Sequence, residues 1–307
     1  MYTPRIKDAH LVGYYTYRRL SRLAPFTYLR IRLEISLFFR YLNEKGVRSI
    51  KECNEKVIIK YLSYNRKTKF WLTGRKRSFH TIAYKRTILW NYFEYLYQMG
   101  YIPNNPITNI PRPLLPRRIP RFLTFKQARR LLKYSIKNKR TPHQFQIRDR
   151  AYISLILFYG LVNHEIFRIK KSDIDYKKKT IRIRMSRFHD QRILPLLRPA
   201  EKWIKEYLKV RPRRKSLILF QKHKVFGDYG FNSSRGALNR LSRKLKYNVS
   251  SSTLRNTFYS LVFNVGVEHR VIQAITGVHT LKTITRRSSI AFGNKRKTLD
   301  KYMAKIS

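Results

Sequence analysis

RDRAYISLILFYGLVNHEIFRIKKSDID, residues 148–175, decides the fold. Residues 148–159 read as a strongly apolar helix. Gly160 ends that helix, because glycine accepts the left-handed conformation that closes helices, and a short second helix is expected over 163–169. Beyond it, KTIRIRM (179–185) and QRILPL (191–196) alternate apolar and polar residues, as half-buried strands do. The SRFHD between them reads as a hairpin turn. Helical patterns follow over 199–209, 234–245, 253–265 and 268–276. The fold class is therefore mainly α with a small β-sheet (α+β).

Toward the N-terminus, Thr124 and Gln127 form a capping-box pattern that opens a helix running to about Lys137. Before it, residues 101–121 hold six prolines. Proline lacks a backbone donor and restricts its predecessor, so this stretch is expected to be an extended linker. Further back, 80–99 is the clearest helix and Gly100 stops it. Residues 26–44 and 54–64 also read as helices, and the basic stretch 66–79 as a loop or helix start. The expected organisation is a helical domain over 1–107, a basic proline-rich linker over 108–122 and a mixed domain over 123–307.

The chain carries 69 Lys and Arg against 16 Asp and Glu, a net charge of +53. Such self-repulsion is relieved by a polyanion, and nucleic acid is the natural one because phosphate contacts release condensed counterions. The 43% hydrophobic and 14% aromatic content argues against a disordered basic tail. No stretch offers the ~18 consecutive apolar residues of a membrane-spanning helix, and no membrane partner is expected. The first residues, MYTPRIKDAH, lack the apolar centre of a signal peptide. The single cysteine, Cys53, excludes an intramolecular disulfide, and no cysteine cluster can hold zinc. His164, His189 and His279 show no ligand spacing and are expected on the surface or in turns. Gly227 and Gly230 read as an isolated turn, and Tyr259 as a residue packed within its helix. No metal or cofactor is expected.

The order of these blocks resembles the tyrosine recombinases (phage-integrase family, Xer-like) over roughly residues 16–300. TIAYKRTILWNYFEYLYQMGYIPNNPI (81–107) resembles the end of that family's helical core-binding domain. RRIPRFLTFKQARRLL (117–132) resembles its interdomain linker and first catalytic-domain helix. The 148–175 block, HRVIQAITG (269–277) and TLKTITRR (280–287) resemble its catalytic motifs. The resemblance implies two domains closing as a C-shaped clamp on duplex DNA. It also implies phosphoryl transfer, in which a tyrosine attacks a phosphodiester while two arginines, a hairpin lysine and two histidines assist. The chemistry demands several cations around one phosphate and an in-line nucleophile.

Carried over residue by residue, that constellation is mostly replaced. The first arginine falls on Val162, with the neighbouring acid retained as Glu165. The hairpin lysine falls on Arg187, which supplies charge but is a poor proton donor. The first histidine falls on Ser252, the second arginine on Arg255, the last histidine on Val278 and the tyrosine on Arg287. Arg187, Arg255 and Arg287 keep the site basic. Arg75, Lys76, Arg77, Lys85, Arg86, Arg117, Arg118 and Arg121 are the further candidates for DNA contact. A charge run is more often simply a solvated face, and Arg187 and Arg255 have that alternative too.

The implied function is a DNA-binding, catalytically inactive recombinase homologue. It would serve as an accessory or architectural factor in DNA recombination, integration or packaging by a mobile element or virus, beside an active recombinase or transposase. An active enzyme using Tyr302 as its nucleophile is one alternative, and an RNA-binding ribonucleoprotein component another. The tail 293–307 is long enough for a docking helix in a homo-oligomer. A prokaryotic source would place the protein in the cytoplasm at the nucleoid, a eukaryotic or viral one in the nucleus or virion.

Overall fold

The structure is a computed structural model that describes residues 9–21, 23–69, 74–115, 120–134, 142–186, 189–213, 216–222, 228–280 and 284. The chain divides into two compact units, residues 1–117 and 118–307.

The first unit contains α1 (Ala9–Leu20), α2 (Pro25–Glu44), α3 (Glu55–Lys67) and α4 (Phe79–Gln98). Asn54 and Ser78 cap α3 and α4 by accepting from the Val57 and Thr81 amides, which satisfies amides that a helix start leaves open. On α2, Ile31, Ile35, Phe38, Phe39 and Leu42 are buried at helical spacing while Leu29 and Leu33 stay exposed. The two exposed leucines thus lie off the face that packs inward. Phe38 packs edge-on against Tyr61 and Phe93, with ring centroids 4.9 and 6.0 Å apart. The helix α1 was not expected from the sequence. It contains Gly13, a weak helix former, and a Cβ at that position would lie 2.6 Å from the Tyr95 hydroxyl. Close packing against α4 therefore favours the residue that hides the helix. The proline-rich stretch is not extended at its start, because 101–110 is a run of turns with Ile102, Ile107 and Ile110 buried in this unit's core.

The second unit contains α5 (Phe125–Tyr134), α6 (His143–Tyr159), α7 (Asn163–Ile166), β1 (Ile174–Asp175), β2 (Thr180–Ile183) and β3 (Arg192–Pro195). It continues with α8 (Arg198–Val210), α9 (Phe231–Leu245), α10 (Ser251–Asn264) and α11 (His269–Thr276). Thr124 and Gln127 form the expected reciprocal cap, with the Gln127 amide donating to Thr124 Oγ1 (3.2 Å) and the Thr124 amide to Gln127 Oε1 (2.9 Å). The central helix α6 is buried around its circumference and packs against α8 and α10. Its buried Asp149 accepts from Arg148, Arg240 and Tyr229, so the acid in this core is fully engaged. Burial pushes the Asp149 carboxyl up, and these donors oppose the shift. The sheet is antiparallel in the order β1-β2-β3, with Ile181 opposite Leu194. The two-residue strand β1 adds an edge that periodicity could not reveal.

Gly160 caps α6 at φ 62°. A Cβ there would lie 2.6 Å from Phe258 on α10 and 3.2 Å from Thr276 on α11. This glycine lets three helices converge immediately before the α6–α7 turn.

Candidate anion-binding site

Four segments of the second unit meet at that turn. The first is 160–166, carrying Val162 and Glu165. The second is the β2–β3 hairpin, where Ser186 bridges His189 and Arg192 begins β3. The third is α10 with Ser252, Arg255 and Tyr259, and the fourth is the end of α11 with Val278. Asn163 ties the first segment to the third by donating to Ser251 Oγ at 3.4 Å, and Tyr152 holds Asn163 Oδ1 at 2.7 Å. Val278 pairs with His189 as a backbone bridge, which brings the fourth segment to the hairpin.

Glu165 is the hub, with a fully buried side chain. Its Oε1 accepts from Arg192 Nη1 at 2.8 Å and lies 3.3 Å from His189 Nδ1. Its Oε2 accepts the Val162 amide at 2.9 Å. Burial alone would raise this carboxyl. Hydrogen bonds from His189 and Arg192, the Arg192 charge and the Val162 amide together outweigh burial and hold it below the usual carboxylate range. Arg192 also donates from Nε to the Ile275 carbonyl at 2.6 Å and from Nη1 to the Asp190 carbonyl at 3.2 Å. It thereby clamps the C-terminal end of α11 to the sheet. Gly277 leaves room for this guanidinium, since a Cβ there would lie 2.6 Å from Arg192 Nη1.

Arg255 is 6% exposed. Its Nη2 donates to the Tyr259 hydroxyl at 3.1 Å and lies 3.5 Å from His189 Nε2. Among the described residues no carboxylate lies within ion-pair distance of it, and its Nε is buried without a hydrogen-bond partner. Among the described residues, the one buried acid of the cluster is already matched by Arg192. The cluster thus holds a guanidinium in excess, and an unpaired buried ion costs several kcal/mol. Such a site is poised to accept an anion.

The family positions at Val162, Ser252, Arg255 and Val278 are gathered here, with Ser252 exposed one helical turn before Arg255 and Val278 packed against Phe258, Tyr259, Ile272 and Ile284. Arg187, Arg287, Arg117, Arg118 and Tyr302 lie outside the described residues. His189 and Arg192 were missed in the sequence. His189, expected as a surface or turn residue, has a side chain only 11% exposed and stands between Glu165 and Arg255. The available signal was its place in the hairpin two residues beyond the expected lysine position.

In the first unit, Arg75 and Lys76 are exposed, as is Arg121 in the second. Arg77 is half-buried and donates to the Asn65 carbonyl and Thr68 hydroxyl. Lys85 and Arg86 correct the sequence reading. Lys85 is 2% exposed, pairs with Glu34 and lies over the Tyr61 ring. Burial lowers its ammonium pKa, and Glu34 opposes that shift. Arg86 is 5% exposed and donates to the carbonyls of Ile107 and Ile110. Both serve the interior of α4 and are not available to a phosphate.

Among solved structures, the Tn1549 transposon integrase, in complex with a circular intermediate DNA, superposes with a TM-score of 0.69. That match is 16% identical and covers 94% of this chain and 98% of that one. The XerH site-specific recombinase bound to its difH substrate gives 0.68 at 18% identity, over 85% and 76% of the two chains. The fold is that of a tyrosine recombinase. In sequence, the tyrosine recombinase XerC of Thermodesulfovibrio yellowstonii is 28% identical over 221 residues, 69% of this chain and 71% of that protein. A tyrosine recombinase of Pseudothermotoga lettingae is 26% identical over 271 residues, 86% and 87% of the two. Residues 121–287 match the phage integrase family, and the chain belongs to it. Among the described residues no group of His, Cys, Asp and Glu could hold a metal ion, and no helix is long and apolar enough to cross a membrane.

Proposed function

We propose that this protein binds duplex DNA and receives a backbone phosphate at Arg255 without cleaving the strand. The observation that carries this reading is the composition of one pocket. Arg255 is a buried cation with no acid partner among the described residues, while Val162, Ser252 and Val278 occupy the positions where the family resemblance calls for an arginine and two histidines. Valine neither donates a hydrogen bond nor offsets charge. Loss of one preorganised donor to a transition state lowers rates by about 10²–10³, and three such positions are changed.

The net charge of +53 and the exposed Arg75, Lys76 and Arg121 support a wide electrostatic footprint on the duplex. The DNA complexes of the Tn1549 integrase and XerH support the choice of duplex over single-stranded RNA. The role is that of an accessory or architectural factor in recombination or integration, acting beside an active recombinase or transposase. Phosphate contacts position a protein on DNA and carry no sequence information, which suits an architectural role.

The test is incubation with nicked suicide duplexes bearing the terminal sequences of its own element, read on a denaturing gel. Duplex binding without a covalent adduct is the expected result. An adduct abolished by Tyr302→Phe would overturn the assignment and make the protein an active enzyme with a displaced nucleophile.

A further inference from the structure

We propose that His189 is a phosphate ligand of this site and that it binds the phosphate as an imidazolium, so that docking of DNA takes up a proton. The proposal rests on the DNA-binding reading above and adds to it a residue and a proton. Three contacts carry it. His189 Nδ1 lies 3.3 Å from Glu165 Oε1 and 3.4 Å from Ser186 Oγ, while Nε2 lies 3.5 Å from Arg255 Nη2.

In the free protein this arrangement fits a neutral ring. Nδ1–H faces the carboxylate, and the Nε2 lone pair faces a guanidinium N–H. A phosphodiester at Arg255 changes what Nε2 meets. Arg255 turns its donors to the anion, and a bare lone pair would then face an anionic oxygen. A proton from solvent on Nε2 converts that repulsion into a charge-assisted hydrogen bond. The resulting imidazolium lies between the Glu165 carboxylate and the phosphate, and both anions favour the charged ring.

The surrounding groups fit this balance. Glu165 faces the ring from α7 and is shared with Arg192 of β3. Arg255 faces it from α10, with Tyr259 hydrogen-bonded to that arginine. From the end of α11 the ring's own residue meets Val278, which is apolar and supplies only backbone. Asp190, next in sequence, is exposed and lies 3.6 Å from His279, and thus does not compete for the ring. Among the described residues, counting Glu165 as −1 and Arg192 and Arg255 as +1 each leaves the pocket at +1. The phosphate brings it to neutrality, and the proton restores a single positive charge against a duplex of many phosphates. Histidine is suited to this because its charge changes near neutral pH.

The experiment is titration calorimetry of the full chain with a short linear duplex, in two buffers of different ionisation enthalpy near neutral pH. The difference gives the protons taken up on binding. Wild type is expected to take up more protons than His189→Gln, by up to about one, because the variant lacks the imidazole, and its affinity should rise more steeply as pH falls. A second measurement needs no variant: long-range proton–nitrogen spectra of the wild-type ring. These should show the Nδ1–H tautomer in the free protein and an imidazolium in the complex. Equal proton uptake in wild type and His189→Gln, or a ring that stays neutral in the complex, overturns the proposal while leaving DNA binding intact. Failure of the wild type to bind duplex at all would remove both this proposal and the reading on which it rests.

Discussion

Replacing Glu165 by alanine should destabilise the second unit from its site outward. The substitution removes the carboxylate that holds Arg192 Nη1 at 2.8 Å, lies 3.3 Å from His189 Nδ1 and accepts the Val162 amide at 2.9 Å. Arg192, its side chain 9% exposed, would be left with no acid partner among the described residues. Breaking a buried ion pair from one side costs about 3–5 kcal/mol, and a buried amide left unpaired costs about 1–3 kcal/mol. The two losses share one carboxylate and overlap, so the expected total is about 3–5 kcal/mol. Domains are stable by only about 5–15 kcal/mol, which makes this a large fraction.

The assay is urea unfolding of the full chain without DNA, combined with hydrogen exchange resolved by segment. Exchange in 251–264 and 269–276 should accelerate, while 79–98 in the first unit stays unchanged. Removing both charges in Glu165→Ala/Arg192→Met should recover more than half of the loss, because no unpaired ion then remains. Acid supplies a second check. Because the folded-state pKa of Glu165 is depressed, its contribution is present above the ordinary carboxylate range and lost as pH falls through the folded value. The stability gap between wild type and Glu165→Ala should therefore close on acidification. A loss below about 1 kcal/mol, the scale of an exposed ion pair, or an equal loss in both units would refute Glu165 as the hub.

Three further outcomes follow from the placement of particular residues. Arg75→Ala/Lys76→Ala should weaken duplex binding and flatten the dependence of log affinity on log salt by about 0.9 for each phosphate that is no longer neutralised. A Lys85→Met/Glu34→Leu variant should leave that slope unchanged, because both groups are buried against each other; a flattened slope in the second variant would show that Lys85 reaches DNA. Gly160→Ala should destabilise the second unit by about 2–5 kcal/mol, combining the left-handed penalty with overpacking against Phe258 and Thr276. A thermal unfolding midpoint indistinguishable from wild type would exclude that close approach.

What the sequence alone determined about this protein is what is local along the chain. The apolar run of 148–159 with Gly160 after it, the Thr124–Gln127 cap and the alternation in 179–185 and 191–196 each depend on neighbours a few residues away, and the structure keeps them all. The residues standing at positions 162, 252 and 278 could likewise be read without coordinates, because the surrounding blocks set the register.

Tertiary structure alone decided which charges find partners. With 69 basic and 16 acidic residues, most bases have no acid to meet, and nothing local marks the few that do. Lys85 and Arg86 looked like DNA contacts but pack inside the first unit, because Glu34 and the carbonyls of Ile107 and Ile110 converge on them from other segments. His189, expected on the surface or in a turn, does sit in the hairpin, but its side chain lies between Glu165 and Arg255, 24 residues after the one and 66 before the other. A helix or strand is set by contacts repeating at short spacing, whereas a buried charge is placed by desolvation against whatever the packed elements bring near it.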